Sequence, residues 1–264
     1  MYQAALQASS SGDGWSQSLA WDCSASPRNY NYKRYYQPGT GRYLARDADL
    51  YAGYVYASNN PSIGYDPYGL LTIIVHGTYA ENAKWAQPGS PFNQAVSETF
   101  HEDAVAFSWC GGNSLIARMD AALRLVKFIR QHLRPGEKLN IVAHSHGGNV
   151  VKMATLFASD IDLTNFVELG TPQRPDYRLR PGSVRRHYNV FFLNDDIQTQ
   201  GGNGWIDLAA FEAGPAGRQA KFPAINVEIN ELGSGLQIGH SDLHEEFVWK
   251  HFVQYAADIG YGFE

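Results

Sequence analysis

Hydrophobic and polar positions change rhythm once along the chain, near residue 70. Beyond that point, short apolar runs of strand length alternate with longer segments whose apolar residues recur every three or four positions. "LLTIIVHG", starting at Leu70, and "KLNIVAHS", starting at Lys138, are β-branched runs that stop at a glycine or at a serine turn. Each predicts a short buried strand. "ARMDAALRLVKFIRQHL" carries helical spacing and ends at "PGEK". "NVVKMATLFAS" reads as helix, "NFVELGTP" and "YNVFFLNDD" as strands, and "LHEEFVWKHFVQYAADI" as a closing helix. Strands separated by helices predict an α/β class with a mostly parallel sheet covered by helices on both faces. Before residue 70 the pattern is different. Tyrosine-bearing runs such as "YKRYY" and "GRYLAR" are broken by the turn signals "PGTG", "NNP" and "DPYG", which predicts short strands and tight turns. The boundary falls at Gly69 to Leu71, dividing the chain into a small β-rich appendage (1–70) and a main domain (71–264).

Composition narrows the classes. With 264 residues, 44% hydrophobic and 13% aromatic, the chain can bury one substantial core and carry an appendage. A charged fraction of 18% and a net charge of -5 argue against nucleic acid or a polybasic membrane contact. No apolar run reaches the about 18 residues of a membrane span. The opening "MYQAALQASSSGDGW" lacks the basic start and apolar stretch of a secretory signal. The expected location is therefore the bacterial cytoplasm, or export as an effector by a signal-independent route. Cys23 and Cys110 are too few for a disulfide framework or a zinc site. No EF-hand loop, His-x-x-x-His pair or P-loop is present in the sequence, so neither a metal nor a cofactor is expected.

The segment Tyr32 to Leu70, "YKRYYQPGTGRYLARDADLYAGYVYASNNPSIGYDPYGL", resembles the end of an Rhs/YD-repeat core. That family carries an RYYDP-x-TGRF-like hairpin, then YxYxxNNP, then DPxGL, in this order. The resemblance implies that the chain beyond Leu70 is a variable C-terminal effector domain, with Rhs-type delivery or immunity partners. The chain departs from the family at Asp47 to Leu50, where "DADL" replaces an expected DP-x-G. The aspartate pair associated with self-cleavage after the DPxGL leucine is thus only partly matched.

The chemistry concentrates at "IVAHSHGGNVV". A nucleophile elbow is written G-x-S-x-G because a strained strand-to-helix turn leaves no room for side chains two residues either side of the serine. Here it reads Ala143-His144-Ser145-His146-Gly147, with a predicted strand before it and a predicted helix after it. The start of that helix aims its amides and positive dipole end at the turn, which favours an oxyanion. Upstream, a strand ends in His76-Gly77-Thr78. The elbow and this loop together make 71–264 resemble the α/β-hydrolase superfamily, of the lipase and esterase type. The resemblance implies an oxyanion hole built from the backbone amides of Thr78 and His146.

A serine hydroxyl needs a base within reach, and the base needs an acid to orient it. The resemblance places these after the serine, acid first. "YNVFFLNDDIQ" offers Asp195 and Asp196, and its likeness to the D-G-V-Q of some lipases favours Asp195. The C-terminal "IGHSDLHEEFVWKH" offers His240, His244 and His251. His240 follows a loop glycine after an apolar run, as the superfamily's base does, whereas His251 falls within a helical pattern. Tyr79, Trp85 and His144 are expected to line a substrate pocket. Trp109 and Cys110 read as a strand end and a buried thiol.

The expectation is a serine carboxylic ester hydrolase with the triad Ser145, Asp195 and His240, acting on apolar acyl esters or lipids through an acyl-serine. The alternatives are a phospholipase-type effector toxin and a non-catalytic interaction module of hydrolase-like shape. The tyrosines of 1–70 cannot form an adequate core within so short a segment, so the appendage is expected to dock on the main domain. Deleting residues 1–70 should lower the melting temperature or the solubility, and the purified full chain should run as one band, uncleaved after Leu70. Thermal melting and gel electrophoresis check both outcomes.

Overall fold

The computed structural model describes residues 29–31, 34–37, 42–43, 70–133, 137–200, 216–229 and 239–263. The chain divides into two units, Met1–Gly69 and Leu70–Glu264. Within the first, β1 (Asn29–Asn31), β2 (Arg34–Gln37) and β3 (Arg42–Tyr43) form an antiparallel sheet in that order. Its register pairs Tyr36 with Asn29 on one side and with Tyr43 on the other. The turns "PGTG", "NNP" and "DPYG", the "DADL" departure and Cys23 lie outside the described residues.

The second unit contains β4 (Leu71–Val75), α1 (Pro91–Phe100), β5 (Val105–Phe107), α2 (Leu115–His132), β6 (Leu139–His144), α3 (His146–Phe157), β7 (Leu163–Leu169), β8 (Val184–Phe191), α4 (Asp196–Gln200), β9 (Ile225–Glu228) and α5 (Glu246–Asp258). The strands form one six-stranded sheet in the order β5-β4-β6-β7-β8-β9, and every pairing is parallel. Alternate side chains feed two cores, as a period of two requires. Ile73, Val75, Ile141 and Phe166 pack with Leu125, Ile129, Val150 and Ala154 of α2 and α3. Ile74, Val142, Val167 and Val190 pack on the opposite face with Phe92, Val96, Trp249 and Phe252 of α1 and α5. This is the α/β class with helices on both faces that the hydrophobic pattern predicts.

Two departures from the sequence reading matter. The segment after the His76–Thr78 loop, for which the hydrophobic pattern names no element, contains α1, whose start is set by Ser90: its hydroxyl accepts from the Asn93 amide, and Pro91 occupies the first turn. The helix after the serine begins at His146, three residues before the apolar run that announces it.

The strand order reverses between β4 and β6, since the chain leaves β4 toward β5 and leaves β6 toward β7. Parallel α/β sheets open a crevice at the carboxyl ends of their strands at such a point. His76–Thr78 and Ser145 lie there, one on each side.

Polar pairs buried in the sheet tie its layers together. Glu168 on β7 is fully buried, 2.8 Å from the Lys152 ammonium on α3 and 2.7 Å from His187 Nε2 on β8. Burial alone would raise the Glu168 carboxyl, but Lys152 and His187 outweigh it and hold it down at about 2. Its folded-state value lies below the ordinary 4.5, so its contribution to stability is complete above that pH and drains as pH falls toward about 2. Replacing Lys152 by Met leaves Glu168 buried with only His187 and the Gln173 amide to offset it. The variant should lose about 3–5 kcal/mol of stability at neutral pH, read from urea denaturation midpoints against the unmodified protein.

Candidate active site

Ser145 joins β6 to α3 with φ 53° and ψ -134°, a backbone conformation that costs a residue with a Cβ about 1–3 kcal/mol. Hydrogen bonds hold it there: the Ser145 amide donates to Leu169 O at 2.8 Å, and the Gly148 amide donates to Ser145 O at 3.0 Å. The two glycines nearest the turn are there for space. A Cβ on Gly147 would stand 2.6 Å from His76 O and 2.7 Å from Val75 O, and one on Gly77 would stand 2.6 Å from the Ser145 Cβ. Ala143 occupies the first small position of the motif and is fully buried. An alanine there is accommodated on a strand that faces α3 across a packed layer.

The His76–Thr78 loop lies directly against this turn. The His76 ring is buried and stacks on Trp109, with centroids 5.7 Å apart. The Trp109 backbone N–H donates to His76 Nε2 at 3.1 Å, so the proton sits on Nδ1, which donates to Gly77 O at 2.8 Å. Burial pulls the His76 pKa below the ordinary histidine value, keeping this neutral tautomer. The indole Nε1–H closes the brace on His76 O at 2.8 Å. Gly77 O and the Thr78 amide belong to one trans peptide and point in opposite directions. Anchoring the carbonyl on His76 therefore turns the Thr78 N–H away from that ring. The next amide, that of Tyr79, is held by Gly111 O at 2.9 Å. In the sequence Trp109 reads as a mere strand end; its spacing from His76 carries no local signal, because the pair forms only when β4 and β5 align.

Asp195 and His240 meet. His240 Nδ1 donates to Asp195 Oδ2 at 2.6 Å, and Asp195 Oδ1 accepts from the Gln198 amide at 2.8 Å, capping α4. Asp195 is buried, while the Asp196 side chain is 82% exposed and lies 3.6 Å from Arg218. The Gln198 side chain donates to Thr171 O at 2.7 Å, tying the Asp195 turn to the segment that follows β7. His240 opens a 3-10 helix, His240–His244, and its ring lies over Gly170, where an added Cβ would stand 3.1 Å from Cε1. Since Ser145 is hydrogen-bonded to Leu169, both residues converge on the carboxyl end of β7.

The remaining candidates fall into place around them. His244 stacks on Trp85 at 4.2 Å and is pulled down to about 4, chiefly by burial. His251 is exposed on α5. His146 is buried at the start of α3, with its Nδ1 3.1 Å from Asn149 Nδ2. Tyr79 is 84% exposed beside the His76–Thr78 loop. Trp85 packs edge-on to His144 and Phe92. His144 is buried, its Nε2 3.0 Å from the backbone oxygen of His240. Cys110, read as buried, is exposed: its turn lies at the surface end of β5. Among the described residues no cluster of histidine, cysteine or acidic side chains could hold a metal ion, and no helix is long and apolar enough to cross a membrane.

No family model matches the chain. Part of it is 42% identical over 59 residues to the toxin protein Tse5 of Pseudomonas aeruginosa, a match covering 20% of this chain and 4% of that protein. Among solved structures, it is similar to a putative hydrolase of the alpha/beta superfamily from Xanthomonas campestris, with 13% identity, a TM-score of 0.39, and coverage of 70% of this chain and 98% of that one. It is also similar to phospholipase PlaB of Legionella pneumophila, with 15% identity, a TM-score of 0.32, and coverage of 39% of this chain and 25% of that one.

A methyl on Gly147 has backbone oxygens in its way rather than flexible side chains. Gly147→Ala should cost about 1–3 kcal/mol and displace the His76–Thr78 loop. Thermal melting measures the loss, and a crystal structure of the variant shows the displacement.

Proposed function

We propose that this protein is a serine carboxylic ester hydrolase acting on apolar acyl esters. The observation that carries the reading is the strained Ser145 turn at the sheet's switch point, close to a histidine whose Nδ1–H is held by a buried aspartate. With that proton donated to Asp195, His240 Nε2 keeps its lone pair and serves as the base. It takes the Ser145 hydroxyl proton as Oγ attacks the ester carbonyl carbon. Asp195 stays ionised and stabilises the imidazolium that forms. The tetrahedral oxyanion is received by the Thr78 and His146 amides, one turned by the His76 brace, the other at the positive end of α3. The carbon–oxygen bond to the leaving alcohol then breaks, and His240 returns its proton to the alcohol. Water, activated by the same imidazole, attacks the acyl-serine and releases the acid.

Exposed apolar side chains support an apolar substrate. Tyr79 follows the oxyanion loop, and Leu193 and Ile197 flank Asp195 at 51% and 59% exposure. A hydrocarbon chain entering the crevice would cover such groups, gaining about 25 cal/mol per Å² of apolar surface removed from water. The partial likeness to a toxin protein supports an effector setting.

Hydrolysis of a p-nitrophenyl ester chain-length series alongside phospholipid vesicles tests the reading. Ser145→Ala should lower kcat by about 10⁴-fold or more with the fold intact. Asp195→Asn should be far more damaging than Asp196→Asn, and His240→Ala than His244→Ala. A folded Ser145→Ala protein of full activity would overturn the mechanism. A wild-type protein inert to every ester would favour the non-catalytic interaction module.

A further inference from the structure

His144 is not used by the proposed chemistry, yet it is buried and makes one directed contact. Its Nε2 lies 3.0 Å from the backbone oxygen of His240. A carbonyl can only accept, so Nε2 carries the proton and His144 donates. The donor stands next to Ser145 in the chain, and the acceptor belongs to a residue 96 positions away. We propose that His144 is a positioning residue that fixes His240 relative to Ser145 by holding the His240 backbone carbonyl from the elbow itself. This rests on the serine hydrolase reading.

The surroundings fit that task. The His144 and His240 rings lie 4.7 Å apart at 49°, His244 meets His144 edge-on at 4.8 Å, and Trp85 meets it edge-on at 5.8 Å. These walls leave His144 little freedom to turn its Nε2 elsewhere. Burial, with His240 and His244 close by, holds the His144 imidazole well below the ordinary histidine range, so it remains a neutral single donor. His240 is then fixed at two points. Its ring is held by Asp195 through Nδ1, and its backbone is held by His144 through the carbonyl. The ring contact alone sets an orientation about the Nδ1–Oδ2 line; the backbone contact removes the remaining translation of the loop toward or away from Oγ.

The consequence is geometric. A displacement of about 1 Å at a reacting group costs about 10²-fold in rate. Phenylalanine at 144 keeps the ring and loses the N–H, whereas glutamine carries an amide nitrogen at the same reach as Nε2. His144→Phe should lower kcat by about 10- to 100-fold with KM changed less than twofold, because the lost hydrogen bond acts on His240 in the reaction step. His144→Gln should recover most of that loss. A role confined to packing predicts the reverse order, since phenylalanine fills the site better than glutamine.

The experiment is steady-state hydrolysis of a p-nitrophenyl ester by the full chain carrying each substitution, with melting curves and with Ser145→Ala and His240→Ala beside them. Low kcat in His144→Phe with recovery in His144→Gln supports the proposal. Wild-type kcat in His144→Phe, or equal loss in both variants, overturns it. If His144→Phe does not fold, His144→Gln decides alone: kcat within a few-fold of wild type supports the proposal, and a loss of the size expected for phenylalanine overturns it. Activity surviving in Ser145→Ala or His240→Ala would instead overturn the serine hydrolase reading, so the two failures are distinct.

Discussion

The backbone of Ser145 sits at φ 53°, where a residue with a Cβ is disfavoured, and most of the candidate site's surroundings serve to keep it there. The turn must be tight enough to end β6 and start α3 without a linker, because β6 ends at His144 and α3 begins at His146. That tightness brings the start of α3 against the His76–Thr78 loop and makes a Cβ at Gly77 or Gly147 a collision. The backbone groups of Ser145 are engaged with Leu169 and Gly148. A strain of about 1–3 kcal/mol is tolerated only where the surroundings over-determine the conformation.

The sheet supplies that over-determination. β4, β6 and β7 are its inner strands around the turn, and every residue of each is buried. Toward the amino ends of these strands, a row of polar side chains crosses them: Asn165 donates to Asn140 at 2.8 Å, Asn140 to Thr72 at 3.2 Å, and Thr72 to Glu102 at 3.1 Å. Such a row fixes register, because slipping any strand by one residue would leave buried amides without partners. On the other face, the Lys152–Glu168 pair clamps α3 to β7 two turns beyond the elbow. Removing water from these charges is costly, so their value lies in specifying where α3 sits more than in added stability.

The legibility of the sequence divides along the same line. Ser145, with its flanking strand and helix, is local: a few adjacent residues carry the turn, the small neighbours and the change of hydrophobic period. Asp195 and His240 are named by chain order and by their position after apolar runs, and the structure brings those two side chains into contact. By contrast, α1 is hidden although Ser90-Pro91 is a usable start signal, because aromatic residues and turn formers before it read as loop. The pairs His76–Trp109, Lys152–Glu168 and His144–His240 leave no trace in spacing, since each forms only after strands have aligned. A histidine beside a serine reads as a pocket residue in the sequence, and nothing local in the sequence announces the contact of its ring with the His240 backbone.

The cluster of imidazoles around Ser145 raises the question of why one of them should act as the base. His144, His240 and His244 lie within 5 Å of one another along the chain of ring contacts from 240 to 144 to 244. In the proposed reaction His240 becomes cationic. A second positive charge at the 4.7 Å spacing of His144 would oppose that by about 3–4 kcal/mol at an effective dielectric of ~20. Burial removes this obstacle by keeping His144 well below the ordinary range and His244 at about 4, so both are neutral near pH 7. Asp195 then breaks the symmetry, because of these rings it is His240 that has a buried carboxylate at 2.6 Å. In the proposed reaction the base is chosen by where the negative charge is, and the neighbouring histidines contribute by staying uncharged.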